Sequence, residues 1–595
     1  MATKKKLLQA AAGAGGGEPG LNVEEVFSTY VYEGNGSSQV IQNGIALVDG
    51  FSSGGDGTSV FFDGSNDYLQ LPSSSDFAFG TGDFTVEMWT YRGSSNASDN
   101  GPVLWSHGLD NSSGSLWFSW YGDTFYFRID GLGNDITITP TRPTFTWAHV
   151  AVTRESGTVR IFINGVLEAS GTRTQNITQQ APRIGYTQDG GSYHNGYMAN
   201  VHVVKGTALY TSSFTPSITP VTAVANTVLI TCQGASPLTD LSSSNHTITV
   251  NGCVADTEYP KEVSSDGGLV WAKARDNTSG ASHHLFDTER GALNKLGTNS
   301  TAAASNLANT LTSFNANGFS IGSDNYINGD GSASPYSSTY ASWTFRKAPK
   351  FFTCLTYTGT GDTTTQTISH DLGAVPGCII VKRTDSADNW RVYHRGVDVN
   401  GDNQPWTDML TLNSTNAASD FPVWGDTAPT STEFTVGYES SVNASGGTYV
   451  AYLFAHNDGD GDFGDGTQDI IKCGSYTGNY NSGSEPNIDL GFEPQWILFK
   501  NTTTSSNWVI YDTMRGWANN VGQKDYSLAP DSSAAENGVT GGADGGTATA
   551  TGFDLKGCGL TAVNSLGDTH IYIAIRRGPM AVPTDATDVF AIDPA

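Results

Sequence analysis

The sequence predicts an all-β protein: three tandem β-sandwich-like repeats, with a further sandwich inserted into the first of them. Three observations carry this. A phrase of aromatic, glycine and basic residues occurs three times at nearly constant spacing. Short alternating segments are broken by Gly, Asn and Asp throughout. The composition holds 71 glycines with only 15% charged residues, which suits strands joined by tight turns better than salt-bridged helices.

The phrase runs from Tyr-x-Gly, through an apolar strand ending in Lys, to a strand closing on Arg-Gly. The second copy has Tyr357-Thr358-Gly359, Cys378-Ile379-Ile380-Val381-Lys382 and His394-Arg395-Gly396; the third has Tyr476-Thr477-Gly478, Trp496-Ile497-Leu498-Phe499-Lys500 and Met514-Arg515-Gly516. Tyr to Lys spans 25 residues in one and 24 in the other, so a shared fold follows. The first copy opens with Tyr32-Glu33-Gly34 but reaches Leu269-Val270-Trp271-Ala272-Lys273 only 241 residues after Tyr32, and closes on Arg290-Gly291. About 216 residues are therefore spliced into one of its loops. Closing strands recur at Tyr340–Arg346, Tyr449–Phe454 and Tyr572–Arg576, and each repeat is too long for a propeller blade but suits a small sandwich. Residues 26–45 read as the opening hairpin of the first repeat. Three copies in one chain also suggest a threefold arrangement within it.

Inside the insertion, Ser59–Phe62, Phe84–Trp89, Leu116–Tyr121, Phe125–Ile129 and Val159–Ile163 alternate as half-buried strands do. The one fair helical candidate of the whole chain is the Ala-rich Ser300–Leu311, with Asn299-Ser300 as its cap. The boundaries that follow are a docking arm at 1–25, a split first repeat at 26–50 and 266–350, and an inserted domain at 51–265. A second repeat at 351–458, an acidic linker at 459–471, a third repeat at 472–580 and a tail at 581–595 complete the chain.

Composition excludes several functions. A net charge of −28 opposes nucleic acid and anionic membrane surfaces, because phosphate binding needs Lys and Arg to displace counterions. No run of about 18 apolar residues exists to span a membrane. Lys4-Lys5-Lys6 and the Ala/Gly tract after it imitate a signal peptide with too short an apolar core, and read instead as an arm that orders on a partner. The six cysteines show no metal-ligand spacing and read as buried thiols, with Cys232 and Cys253 as a possible pair. Asp458 to Asp462 reads as a solvated linker. The recurring Lys273, Lys382, Lys500, Arg290, Arg395 and Arg515 are expected to satisfy carboxylates or carbonyls inside their own repeats.

The insertion resembles the laminin-G or concanavalin A-like family. The resemblance rests on Phe62-Asp63-Gly64-Ser65-Asn66-Asp67-Tyr68, Gly82-Asp83-Phe84-Thr85-Val86-Glu87-Met88-Trp89, Trp147–Arg154, Ile163-Asn164-Gly165 and Asn195-Gly196-Tyr197-Met198-Ala199-Asn200. It implies a jelly-roll sandwich. Relatives often hold calcium near the Asp-Gly turn, which would make Asp63, Asn66, Asp67 and Asn200 the ligands here; Asn200 stands where Asp is more usual. Hard oxygen donors at this spacing suit that ion. An enzyme of this class would carry paired carboxylates on one strand, and Glu87 is alone in its strand, so no catalytic residue is expected.

Two readings stand open for Trp105, Trp117, Trp120, Tyr121 and Tyr126: a platform on which sugar rings stack, or filling for the sandwich core. Alternation puts Trp117 and Tyr121 on one face and Phe118 and Trp120 on the other, and one set must line the core.

The remainder of the chain resembles the repeated β domain of tail-fibre and other virion proteins of marine phages, especially those infecting cyanobacteria. This implies a non-enzymatic virion protein, in the extracellular particle, of tail-fibre or tail-appendage kind. Its arm would meet other virion proteins, its lectin-like domain would bind host-surface glycan, and homotrimers are common among such fibres. The alternatives are a capsid decoration or tail-hub accessory protein, or a polysaccharide depolymerase.

Overall fold

Phe27–Glu33 pairs antiparallel with Thr339–Arg346, placing Tyr32 opposite Tyr340 across the whole length of the first repeat. A computed structural model of the chain describes residues 21–578 except 54–56, 94–102, 110–111, 122–123, 132–134, 140–145, 188–191, 264, 277–280, 333–337, 362, 481–484, 518–524 and 540–544. It is nearly all β and divides into two compact units, Met1–Val48 with Ser264–Ala595, and Asp49–Val263.

The larger unit repeats one topology three times. In the first repeat the sheet order is Phe27–Glu33, Thr339–Arg346, Gly268–Ala274, His284–Asp287. In the second it is Phe352–Thr358, Thr448–Phe454, Cys378–Arg383, Arg391–His394. In the third it is Ile471–Thr477, Thr569–Arg576, Pro494–Asn501, Val509–Asp512. Opening strand pairs with closing strand, and closing with central, in every copy. A smaller sheet completes each sandwich, for instance Gln39–Ile41, Gly318–Ile321 and Leu311–Asn315 in the first. The opening segment is thus not a hairpin. Phe27–Glu33 and Gln39–Ile41 go to different sheets, because each finds its partner in the distant half of the repeat.

The Tyr-x-Gly phrase has a shared local cause. Tyr32, Tyr357 and Tyr476 each donate a hydroxyl proton to a carbonyl in a one-turn helix: Ile327 at 2.9 Å, Val442 at 2.7 Å and Val563. Each helix ends in a buried Asn whose side-chain oxygen accepts from the residue after the glycine: Asn328 from Asn35, Asn443 from Thr360, Asn564 from Asn479. A Cβ on Gly34, Gly359 or Gly478 would lie 2.0, 2.3 or 2.1 Å from the carbonyl oxygen of Gly329, Ala444 or Ser565, so no side chain fits there.

The central strands are buried on both faces, which is why they read as unbroken apolar runs. In the third repeat Ile497 and Phe499 enter the sandwich's own core. Trp496 and Leu498 turn to a second core shared with side chains of the other two repeats, including Trp271, Trp343, Cys378 and Phe454. Lys500 lies on that shared side, as do its counterparts Lys273 and Lys382.

There the repeats interlock in a cycle. Lys273 donates to the carbonyl of Ser533, Lys382 to that of Thr301 and Lys500 to that of Thr415, joining the first repeat to the third, the second to the first and the third to the second. The main chain repeats the order: Glu536 donates to Arg275, Ala304 to Thr384 and Ala418 to Thr502. Each lysine also donates to a carbonyl of its own repeat. The expectation of contacts within each repeat is therefore corrected for the lysines, which serve both sides of a junction. It holds for Arg290 and Arg515, which pair with Asp287 and Asp512 three residues before them.

The predicted helix at Ser300–Leu311 does not form. Thr301 and Ala304 spend their backbone groups on the second repeat, accepting from Lys382 and Asp388 and donating to Thr384, and Ser305–Asn306 is a short strand. Tertiary hydrogen bonds override the helical propensity of alanine. All six cysteines are buried free thiols.

The smaller unit is a two-sheet sandwich. One sheet runs Ile136–Ile138, Thr124–Ile129, Leu116–Tyr121, Val103–His107, Arg183–Ile184, Tyr68–Gln70, Thr249–Asn251. The other runs Val166–Thr172, Thr158–Ile163, Trp147–Glu155, Phe84–Arg92, Asn195–Lys205, Ser59–Asp63, Val254–Asp256, with Thr227–Thr231 alongside Asn195–Lys205. Gly50–Ser53 pairs with Pro260–Val263, so the chain enters and leaves this unit side by side, as a loop insertion requires.

Candidate functional site

Alternation decides which side chains of the smaller unit reach the surface. In Phe84–Arg92, Phe84, Val86 and Met88 enter the core between the sheets. Glu87 and Trp89 point away from that core, but the chain between 206 and 222 covers them. Tyr210 and Phe214 stack over this face, and Trp89 donates to the carbonyl of Ser217 at 2.9 Å.

Glu87, 3% exposed, is held there by His202 at 2.8 Å, His149 at 3.3 Å and the Tyr210 hydroxyl at 2.8 Å. Burial opposes its charge, but the hydrogen bonds and charges of His149 and His202 prevail and hold its pKa down at about 2. Both oxygens of this carboxylate are engaged.

The outer face of the other sheet carries half-buried polar and aromatic side chains, with Ser106 and Ser119 buried among them. Paired residues of an antiparallel sheet share a face, and the register lines up Gln70, Arg183, Ser106, Trp117 and Arg128 in one row across five strands. At one end of the row, Arg128 makes a two-point ion pair with Asp135, Nε to Oδ1 at 2.8 Å and Nη2 to Oδ2 at 2.9 Å, and lies 5.5 Å from the Trp117 ring.

At the other end three tyrosines gather. Tyr186 and Tyr193 stack with centroids 4.3 Å apart and planes 12° from parallel, and Tyr68 lies 5.1 Å from Tyr186. The Arg183 guanidinium sits 5.3 Å from the Tyr68 centroid and 5.2 Å from that of Tyr186, with its Nε donating to Gln70 Oε1. Gln70 is fixed in turn by donating to the carbonyls of Leu71, Ala181 and Pro182. All four residues are half-buried. Flat faces partly open to solvent beside oriented N–H donors can stack a sugar ring and bond its polar groups.

The sequence candidates are placed differently. Trp105 and Trp120 are both 0% exposed and belong to the core between the sheets, which takes them out of reach of a ligand and corrects their assignment to a sugar platform. Trp117 lies on the outer face, half-buried. Tyr121 ends the same strand, but its side chain lies outside the described residues. Tyr126 is half-buried, opposite Ser119 and Thr137.

The four proposed calcium ligands are not brought together. Asp63 caps the turn, accepting from Ser65 and Asn66, and Asp67 accepts from the Asp63 main chain at 2.9 Å. Burial pushes the Asp67 carboxyl up, against that hydrogen bond. Asn200, 2% exposed, is engaged elsewhere: its oxygen accepts from Tyr259 at 2.8 Å and its nitrogen donates to Thr219 at 2.8 Å. An amide oxygen so occupied does not fit the ligand role. Among the described residues no cluster of three His, Cys, Asp or Glu suited to a metal is found.

The tyrosine and arginine cluster was missed in the sequence because its parts lie in three separate segments. The usable signal was Arg183-Ile184-Gly185-Tyr186, where the buried Ile184 and Gly185 separate the half-buried Arg183 and Tyr186.

Two family models match the chain. Residues 242–579 match the family model described as a domain of unknown function, DUF7483. Residues 63–209 match the model described as the concanavalin A-like lectin/glucanases superfamily, Laminin_G_3. No curated protein matches the chain. Among solved structures, a putative carbohydrate binding protein from Bacteroides ovatus is 16% identical, covering 34% of this chain and 60% of its own, with a TM-score of 0.27. Domains LG4-5 of the mouse laminin alpha1 chain are 13% identical, covering 27% of this chain and 48% of their own, with a TM-score of 0.21. A heptameric SAP-like pentraxin from Limulus polyphemus is 14% identical, covering 34% and 95%, with a TM-score of 0.25. The chain thus spans less than two thirds of the first two of these structures.

Proposed function

The chain belongs to the DUF7483 family and carries a concanavalin A-like, lectin-like domain, and from that premise we propose that it is a non-enzymatic phage virion protein of tail-fibre or tail-appendage kind that binds host-surface glycan. The observation that carries the glycan reading is the half-exposed stack of Tyr68, Tyr186 and Tyr193 around Arg183. Such a surface offers flat apolar faces and oriented donors together, as saccharide recognition requires. Support for a binding rather than a catalytic role comes from Glu87, whose carboxylate is consumed by His149, His202 and Tyr210 beneath a covering segment.

The virion reading rests on the likeness of the triplicated domain to phage tail-fibre repeats. It is supported by the cyclic Lys273, Lys382 and Lys500 contacts, which bury inside one chain the kind of faces that three separate subunits would bury against one another. Other virion proteins are the partners proposed for the N-terminal arm; its expected end at residue 25 is corrected, because Asn22 caps a helical turn, Val23–Val26, whose Val23 is buried in the core shared by the repeats. A glycan array probed with the full chain and with Tyr186→Ala tests the glycan reading: binding lost in the variant supports it, and no binding by the unaltered chain to any glycan overturns it. Labelling of intact particles with antibody to this chain tests the virion reading.

A further inference from the structure

We propose that the site formed by Arg183 with Tyr68, Tyr186 and Tyr193 is selective for a sugar bearing a planar carboxylate, a hexuronate, over its neutral counterpart. This rests on the glycan-binding reading and adds the chemical class of the ligand.

The argument begins with the two arginines of the outer face. Arg128 is matched by Asp135 in a two-point ion pair and has its charge answered. Among the described residues no carboxylate pairs with Arg183. Its Nε is spent on the neutral Gln70, which leaves the four N–H donors of Nη1 and Nη2 unbonded there. The stem is fixed, because Gln70 is anchored to three carbonyls and the guanidinium lies against the rings of Tyr68 and Tyr186. A guanidinium with its inner edge tied and its outer edge free presents a planar fork, the geometry that takes a carboxylate through two parallel hydrogen bonds.

The neighbouring Tyr193 ring, stacked at 4.3 Å on Tyr186, supplies the flat surface for the pyranose itself. Charge and platform therefore stand side by side, and the ligand that uses both is an acidic sugar. The rest of the chain makes this selective. With a net charge of −28 the protein repels polyanions at long range, so retention of one reports a local site and not a general basic surface.

The test uses the full chain and two forms of one polymer, polygalacturonate and its fully methyl-esterified derivative, with dextran as a neutral control, in affinity electrophoresis. Esterification removes the charge and keeps the sugar. The expected result is binding to polygalacturonate at least about tenfold tighter than to the ester, since a charge-assisted pair contributes more than a neutral hydrogen bond. Arg183→Gln should bring polygalacturonate down to the level of the ester, while Tyr193→Ala should weaken both forms. Circular dichroism and thermal unfolding of each variant establish that it folds; should Arg183→Gln not fold, Arg183→Lys is read instead, with partial loss expected because an ammonium lacks the fork. Equal binding of acid and ester, or selectivity unchanged in Arg183→Gln, overturns the proposal while leaving glycan binding intact. Failure to bind these three polymers overturns the uronate proposal, and failure across the glycan array overturns the glycan reading too.

Discussion

Lys500 donates from Nζ to the carbonyl oxygen of Thr415 at 2.9 Å, tying the third repeat to the second, and its counterparts Lys273 and Lys382 repeat the contact at the other two junctions. One buried cation per junction thus holds a triplicated scaffold together within a single chain.

These lysines make stability depend on pH in a stated direction. Burial pushes all three down to about 8 from 10.5. Between those values the unfolded lysines bind more protons than the folded ones, so their contribution to stability rises with pH across the window. Five buried cysteines, whose thiols burial pushes up from 9, act in the opposite direction above that pH, so the lysine contribution is read from a difference. Between pH 8 and pH 10 the denaturation midpoint of Lys382→Met should lose ground to that of the unaltered chain. A midpoint that falls equally in both proteins across this range would contradict the assignment.

Tyr452 donates its hydroxyl to Asp287 Oδ2 at 2.7 Å, and Trp343 donates to Asp512 Oδ2 at 3.0 Å at the equivalent place one junction on. Tyr452→Phe leaves a buried carboxylate short of one donor, with Arg290 still in place. A loss of about 1–3 kcal/mol is expected in chemical denaturation.

Gly359 has no room for a Cβ, whereas Gly446 faces open space at φ +71°. Gly359→Ala should therefore lower the melting temperature well beyond Gly446→Ala, whose cost is limited to backbone strain of about 1 kcal/mol. Equal shifts would mean that the turn relaxes around the added methyl.

Trp120 and Trp117 sit three residues apart on opposite faces of one strand. Trp120→Ala should cost about 3–5 kcal/mol by opening a cavity in the core. Trp117→Ala, which removes a half-buried ring packed by Arg128, should cost less. Calorimetry of the two variants checks the order, and an equal loss would contradict the placement of Trp120 in the core.

Glu87 predicts an acid transition. Its folded pKa of about 2 lies below the ordinary 4.5, so its contribution is present above pH 4.5 and is lost as the pH falls toward 2. Glu87→Gln should remove this part of the acid sensitivity, read as a flatter dependence of stability on pH between 4.5 and 2. An unchanged slope in the variant would show that the carboxylate carries none of it.

Legibility in the sequence followed how local each cause is. Tyr357 to Lys382 and Tyr476 to Lys500 announced a repeat because the same contacts recur at the same spacing. The Ala-rich segments at 300–305, 414–419 and 532–537 recur as well, with Ala302, Asn416 and Ala534 each donating to the serine hydroxyl two residues before. Read singly, the first of them looked helical, since its partner, the strand after Lys382, lies in another repeat. Residue type alone makes Trp105 and Trp120 candidates for a sugar platform, whereas their burial is a property of the assembled sandwich.

What the sequence determined by itself was the all-β class, the threefold repetition and the presence of a lectin-like insertion, because alternation, turn residues and repeated spacing are local properties of the chain. Only the tertiary structure decided that Lys273, Lys382 and Lys500 close a cycle, that Glu87 is enclosed, and that Tyr68, Arg183, Tyr186 and Tyr193 share a surface. Each of these joins residues from separate strands or repeats, and the register and packing that bring them together exist only once the sheets have formed.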